Sequence, residues 1–168
     1  MDALLVMNPQ NSFLSPNGSV YMGEKAEILK IRMVDFLKGF SKPRIFLREA
    51  HAREDTFFIS DKTHSITNEM DFHICDEFKK YVDIVENKIR YSALYCTGLL
   101  NELDNLKART IGIIGVETHT SVLFTAEELR NRGYEVIIIE PCVMSRDDYL
   151  HGYAITLMRH YLGVRIND

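Results

Sequence analysis

Between an apolar run at Thr110 to Ile114 and a segment of helical periodicity ending near Gly133 lies Gly115-Val116-Glu117-Thr118-His119-Thr120-Ser121-Val122. The pattern implies a buried strand that passes through a tight turn into a helix N-terminus, where an α/β protein presents backbone N–H groups and a nucleophile together. Ser121 is the nucleophile such a turn would offer. Lys88 follows another strand-like stretch, and Arg48, Glu49 and His51 stand at the C-terminal edge of a third. An amine, a carboxylate, an imidazole and a hydroxyl are the groups of nucleophilic and acid–base chemistry, provided a scaffold brings them together.

The scaffold is legible in the periodicity. Ala3 to Met7 is a continuous apolar run, as expected of a fully buried first strand, and a polar, turn-rich segment follows it to Gly23. From Glu24 to Phe40, Ile28, Ile31, Val34, Phe36, Leu37 and Phe40 recur at helical spacing, and Gly39 and Pro43 bracket the stop. Strands are predicted at Pro43 to Leu47, Val82 to Val85, Thr110 to Ile114 and Val136 to Ile139, with an edge strand at Val164 to Ile166. Helices are predicted at Ser92 to Leu103 behind a Ser cap, at Thr118 to Arg132 closed by Gly133, and at Asp147 to Tyr161. Ala52 to Phe78 lacks a sustained period and is expected to be a long functional loop with short helical pieces. Strands alternating with helices imply a three-layer α/β/α, mainly parallel doubly wound sheet, in one domain over residues 1–168.

Composition narrows the function classes. The 168 residues are 46% hydrophobic and 26% charged, enough for one full core. The net charge of -4, with both signs interspersed, leaves no electrostatic footprint for nucleic acid or anionic membrane. The apolar stretches are strand-sized, far short of the ~20 residues that span a bilayer, and no basic segment opens the chain. A cytoplasmic protein is expected. Cys75, Cys96 and Cys142 are odd in number and lack CxxC spacing, as suits reduced structural thiols.

Three stretches carry a resemblance that covers nearly the whole chain. They are Ala3-Leu4-Leu5-Val6-Met7-Asn8-Pro9-Gln10-Asn11-Ser12-Phe13, Lys88-Ile89-Arg90-Tyr91-Ser92-Ala93-Leu94, and Gly115-Val116-Glu117-Thr118 with Val122-Leu123-Phe124-Thr125-Ala126. In order and separation they resemble the first strand, the lysine strand-end and the nucleophile turn of the isochorismatase-like hydrolase superfamily, which includes nicotinamidases, N-carbamoyl amidases and isochorismatases. The resemblance implies that fold. It places the family's aspartate on Asn8, its lysine on Lys88 and its nucleophilic cysteine on Ser121. It also implies a cis peptide at Val116-Glu117 and an oxyanion turn made by Val116, Glu117, Thr120 and Ser121.

Two of the three triad positions are therefore substituted. A neutral amide does not accept a proton as a carboxylate does, and a hydroxyl is harder to ionise than a thiol of pKa near ~8.5. Cysteine-amidase chemistry is not expected. The isochorismatase branch, which carries Gly or Ser at the cysteine position and often a His like His119, uses the aspartate as a proton donor, and Asn8 lacks that proton too. Lys88, deprived of its family aspartate, must find Glu117 or Glu49 or sit neutral, in which state it could be a base for Ser121. Glu117 is the expected partner.

By the same resemblance, Glu49 and His51 occupy the place of the Asp-x-His of metal-dependent nicotinamidases, and His64 that of a later His. A carboxylate and two imidazoles could hold Zn²⁺ or Fe²⁺ with open positions, although no cofactor is required. A further family His falls near Phe57, and His73 is a weaker candidate. Phe13, Tyr91 and His119 are expected to face the ligand, with Phe57, Phe58 and Tyr21 near the rim. The expected partners are a small carbonyl-containing or planar molecule and, as the resemblance implies, further copies of the chain. Three readings stay open: a ligand-binding family member, a non-catalytic homo-oligomer, and a serine–lysine or metal-assisted hydrolase of a small amide, ester or vinyl ether.

Overall fold

The strands that the apolar runs predict are all present, and they lie side by side in one parallel sheet. The computed structural model describes residues 1–59 and 62–167, with the side chains of all but 58 and 59. In chain order the main elements are β1 (Ala3–Met7), α1 (Asn11–Leu14), α2 (Glu24–Gly39), β2 (Arg44–Glu49), β3 (Ile84–Lys88), α3 (Leu99–Asn105), β4 (Thr110–Val116), α4 (Leu123–Asn131), β5 (Glu135–Met144), α5 (Asp148–His160) and β6 (Arg165–Asn167). The sheet order is β3-β2-β1-β4-β5-β6 and every pairing is parallel.

Side chains alternate across this sheet and split the core in two. Leu5, Met7, Ile45 and Leu47 pack with Leu103 of α3, Leu129 of α4 and Met158 of α5. Leu4, Val6 and Phe46 face the other way, onto Leu29, Met33 and Leu37 of α2. The result is the expected three-layer α/β/α sandwich. Among the described residues no helix is long and apolar enough to cross a membrane.

Several boundaries differ from the periodicity, each for a local reason. β2 runs two residues further than expected and β3 ends on Lys88, so Glu49 and Lys88 are paired strand residues rather than loop residues. The helix predicted from Ser92 begins only at Leu99. Over the intervening residues side chains compete for the backbone: Ser92 Oγ accepts from Leu94 N, Thr97 Oγ1 donates to Ala93 O, and Cys96 sits at φ 54°. The first turn of the helix predicted from Thr118 is a π-turn over Thr118–Val122. β5 reaches Met144 because its pairing with β4 slips between Ile113 and Gly115, a shift that accommodates Pro141 within the strand. In α2 the buried face is Ala26, Leu29, Met33 and Leu37, while Ile28 and Ile31 of the predicted stripe are exposed. The loop from Ala52 to Phe78 carries 3₁₀ turns at Thr56–Ile59 and Met70–Phe72 and the start of a third at Asp76–Tyr81.

Gly115 brings the two central strands together at the point where both turn toward the site. It pairs with Met7 at φ 111°, and a Cβ there would lie 2.1 Å from the Met7 carbonyl oxygen. A side chain would cost about 1–3 kcal/mol in backbone conformation alone, before the clash with an unyielding main chain. Gly115→Ala is therefore expected to lower unfolding free energy by more than about 3 kcal/mol, read from urea denaturation.

Candidate active site

The sheet order puts the ends of β3, β2, β1 and β4 next to one another, and each end delivers one polar group. Asn8 follows β1 at φ 48°, a left-handed conformation that Asn tolerates better than most residues. Its Nδ2 donates to Ser121 Oγ at 3.1 Å, and Lys88 Nζ donates to the same oxygen at 3.0 Å. The three residues named from remote parts of the sequence thus meet, and all are essentially closed to solvent.

Glu49 is the hub of the cluster. Its Oε1 accepts from Lys88 Nζ at 2.8 Å, Asn8 Nδ2 at 2.9 Å and Ser121 Oγ at 3.2 Å, while Oε2 lies 2.8 Å from His64 Nε2. The expectation that Glu117 would pair with Lys88 is overturned. Glu117 turns toward the end of β5, where Arg146 holds it by the backbone N–H at 3.0 Å and by Nε and a terminal guanidinium nitrogen at 2.9 Å. The reason is register: Glu49 and Lys88 are direct cross-strand partners, whereas Glu117 follows Val116, which pairs with Met144 at the end of β5. Burial works against the ionised form of Glu49, but the Lys88 ammonium, helped by His51 and His64, outweighs it and holds this carboxyl well below the usual range. Burial likewise pushes Lys88 down, against the pull of Glu49. Lys88 still spends three donors, on Glu49, Ser121 and the Arg90 carbonyl at 3.2 Å, which is the full complement of an ammonium.

The turn after β4 has the expected cis peptide at Val116-Glu117. The Thr120 and Val122 N–H groups both donate to the Glu117 carbonyl, at 3.2 and 3.1 Å, so the Thr120 donor assigned to the oxyanion turn is committed internally. His119 is also engaged, its Nδ1 lying 2.9 Å from Ser145 Oγ. Phe13 is buried with its ring edge-on to His64 at 5.2 Å. Tyr91 lies between Phe57 at 4.7 Å and Phe124 at 5.7 Å, in an aromatic row that continues from Phe57 onto His51 at 5.0 Å. The Phe58 side chain lies outside the described residues. Tyr21 bonds Glu27, and His73 is exposed.

Glu49, His51 and His64 do come together, each buried, with one ligand atom apiece lying within 4.8 Å of the others. His64 Nδ1 lies 2.6 Å from the Lys62 carbonyl, and His51 Nδ1 lies 3.3 Å from Asp55 Oδ2. Both Nδ1 partners are acceptors, which suits a proton on each Nδ1 and leaves the Nε2 lone pairs for a cation once one is bound. The Nε2 atoms then point at Glu49 Oε2, from 2.8 Å for His64 and 3.5 Å for His51. Two Nε2 atoms directed at one carboxylate oxygen, each steadied through Nδ1, form a donor set that fits Zn²⁺ or Fe²⁺.

Some participants escaped the sequence reading. Gln10, fully buried, donates from Nε2 to the Glu49 and Phe72 carbonyls and accepts from Glu49 N at 2.7 Å, pinning the hub residue's main chain. Its place beside Asn8 in the opening stretch was the available signal. Arg146 and Ser145 belong to the unexpected extension of β5 and its exit, and nothing in their spacing announced them.

A family model described as "Isochorismatase domain" matches residues 2–167. The chain belongs to the isochorismatase family. Among curated relatives, the "Uncharacterized isochorismatase family protein YaaI" of Bacillus subtilis (strain 168) is 35% identical over 79 residues, a match covering 47% of this chain and 44% of that protein. The crystal structure of nicotinamidase/pyrazinamidase PncA from Bacillus subtilis superimposes with a TM-score of 0.88 at 22% identity, covering 100% of both chains. That of N-carbamoylsarcosine amidase from Thermoplasma acidophilum gives 0.80 at 23% identity, over 98% of this chain and 94% of the other.

Within this isochorismatase-family fold, the Glu49–Lys88 pair makes a pH-dependent contribution to stability. The Glu49 carboxyl titrates below its ordinary value near 4.5 in the folded chain. Its contribution is complete above that value and is lost as pH falls toward the folded pKa. Glu49→Gln, which strands the Lys88 charge, is expected to cost about 3–5 kcal/mol at neutral pH. The gap between wild type and variant should close on acidification below pH ~4.5, as measured by urea denaturation at a series of pH values.

Proposed function

We propose that this isochorismatase-family protein binds a small planar, carbonyl-containing molecule beside Ser121 and does not carry out cysteine-amidase chemistry, because Asn8 and Ser121 stand at the family's aspartate and cysteine positions. The observation that carries the reading is the shared Glu49 Oε1. The carboxylate nearest the Ser121 hydroxyl already accepts from Lys88 and Asn8. A carboxylate held well below its usual range is a weak base, and each unit of mismatch with the proton donor adds about 1.4 kcal/mol to proton transfer. Lys88, with three acceptors, acts as an ammonium that steadies negative charge rather than as the base of a serine–lysine pair.

The binding half of the reading rests on other groups. Asn8 Oδ1 is a buried acceptor with no hydrogen-bond partner among the described residues, and an amide N–H on a ligand would satisfy it. The row formed by Phe57, Tyr91 and Phe124 offers flat apolar faces next to the cluster. Amides are also what the names of the nicotinamidase and the N-carbamoylsarcosine amidase specify for those proteins.

One observation favours a second reading, metal-assisted hydrolysis. Glu49 Oε2, His51 Nε2 and His64 Nε2 would hold a Zn²⁺ or Fe²⁺, which when bound supplies Lewis acidity toward a ligand carbonyl. Oε1 of the same carboxylate keeps its hold on Lys88 and Ser121, so the chain orients the hydroxyl and the cation site through one side chain. The free thiols of Cys75, Cys96 and Cys142 suit a cytoplasmic setting.

The test is hydrolysis of nicotinamide and N-carbamoyl amides, with and without added Zn²⁺ or Fe²⁺. Wild type is expected to be inert or very slow. Asn8→Asp combined with Ser121→Cys, which restores a base and a thiol, is expected to raise the rate by about 100-fold or more and to add an iodoacetamide-reactive site. Brisk wild-type turnover that Lys88→Ala abolishes and metal leaves unchanged would instead establish a serine–lysine mechanism.

Self-association is proposed as well. Ile31 of α2 and Tyr149, Tyr153 and Tyr161 at α5 and its exit are exposed at 58–81%, large side chains of the kind that anchor interfaces. Light scattering at micromolar concentration is expected to give a multiple of 19.4 kDa. A purely monomeric species would overturn the proposal.

A further inference from the structure

We infer that Asp55, clamped by Arg90, is the positioning residue that keeps His51 turned for divalent-cation binding with Glu49 and His64. The inference rests on the reading of those three residues as a cation site. His51 and His64 reach the same carboxylate oxygen, but their Nδ1 atoms are steadied by different means. His64 is held by a main-chain carbonyl two residues away, which no side-chain substitution removes. His51 depends on a side chain, Asp55, whose Oδ2 lies 3.3 Å from its Nδ1.

Asp55 fixes the His51 ring in two ways at once. Oδ2 faces the imidazole N–H, while Oδ1 accepts from the Phe57 backbone N–H at 2.9 Å and so sets the residue whose ring stacks on His51 at 5.0 Å and 14°. Arg90 closes the assembly from outside. Its guanidinium donates to Asp55 Oδ2 at 3.1 Å and lies 5.5 Å from the centre of the Phe57 ring. The Arg90 carbonyl meanwhile accepts from Lys88. The residue that steadies Asp55 is therefore tied to the amine on the other side of Glu49.

Removing Asp55 takes away the acceptor that selects the Nδ1–H tautomer of His51 and loosens the face against which the ring rests. An imidazole free to rotate about its Cβ–Cγ bond presents the wrong nitrogen, or a proton, to the cation for part of the time. Loss of a partner of this kind typically weakens metal binding by about 10–100-fold. Asn at the same position retains one oxygen able to accept from Nδ1–H but presents an NH2 group to the Phe57 N–H, and should restore part of the affinity.

The experiment titrates Zn²⁺ and Co²⁺ into the metal-stripped full chain, against a chromophoric chelator for Zn²⁺ and by visible absorption for Co²⁺. Wild type is expected to bind one ion, Asp55→Ala to bind it about 10–100-fold more weakly with an altered Co²⁺ spectrum, and Asp55→Asn to lie between the two. Circular dichroism shows whether each variant is folded. If Asp55→Ala is not, Arg90→Leu carries the test, with an expected loss of several-fold. Wild-type affinity and spectrum in folded Asp55→Ala would overturn the role of Asp55 and leave the cation site standing. Failure of the wild type itself to bind either ion would overturn the cation site, and the inference with it.

Discussion

A buried ammonium and a buried carboxylate, on neighbouring strands and 2.8 Å apart, set the terms for everything around them. Neither charge is tolerable alone in that place, since removing one partner of such a pair strands the other in a medium that solvates it poorly. The polar groups of the site are arranged so that neither charge is left incomplete. Lys88 gives its protons to Glu49, Ser121 and a carbonyl, and Glu49 fills its oxygens with Asn8, Lys88, Ser121 and His64. Gln10 clamps the main chain of Glu49 so that the carboxylate does not drift. The same saturation that makes the pair stable takes reactivity out of it, because a base that already has several donors gains little from another proton.

Much of the fold was legible because its signals are local and repetitive. Strands buried on both faces leave continuous apolar runs, and Ala3 to Met7 and Thr110 to Ile114 could be read with no knowledge of their neighbours. The misreadings lie where tertiary contacts outvote the period. Ser92 to Leu103 has helical spacing, yet its first half is held in turns by hydroxyl-to-backbone bonds and by a link from Ala93 N to Thr125 Oγ1 on α4. In α2 the apolar stripe was read one step around the helix, since Ile28 and Ile31 look as buriable as Leu29 and Met33 until the sheet's position is known.

The site divides in the same way. Asn8, Lys88 and Ser121 could be named because each ends a strand or opens the element after one, and a parallel sheet sends all such ends to one edge. The partner of Lys88 could not be chosen from sequence. Glu117 is nearer Ser121 along the chain, but cross-strand register rather than chain distance decides which carboxylate faces an amine, and that register places Glu49 opposite Lys88. The arginine that takes Glu117 comes from the end of β5, a strand whose slip past Pro141 leaves no periodic trace.

The polar cluster also has a kinetic side. Its hydrogen bonds join residues separated by 33, 39, 41, 72 and 113 positions. Contacts so far apart close late, because each must first overcome the entropy of a long loop before any bond repays it. A partly folded chain in which β4 has not yet docked on β1 would hold Lys88, Glu49 and Asn8 without Ser121 in its final place. The assembled cluster is thus a marker of completed topology, and a spectroscopic label at Ser121 would report the last step of folding rather than the first.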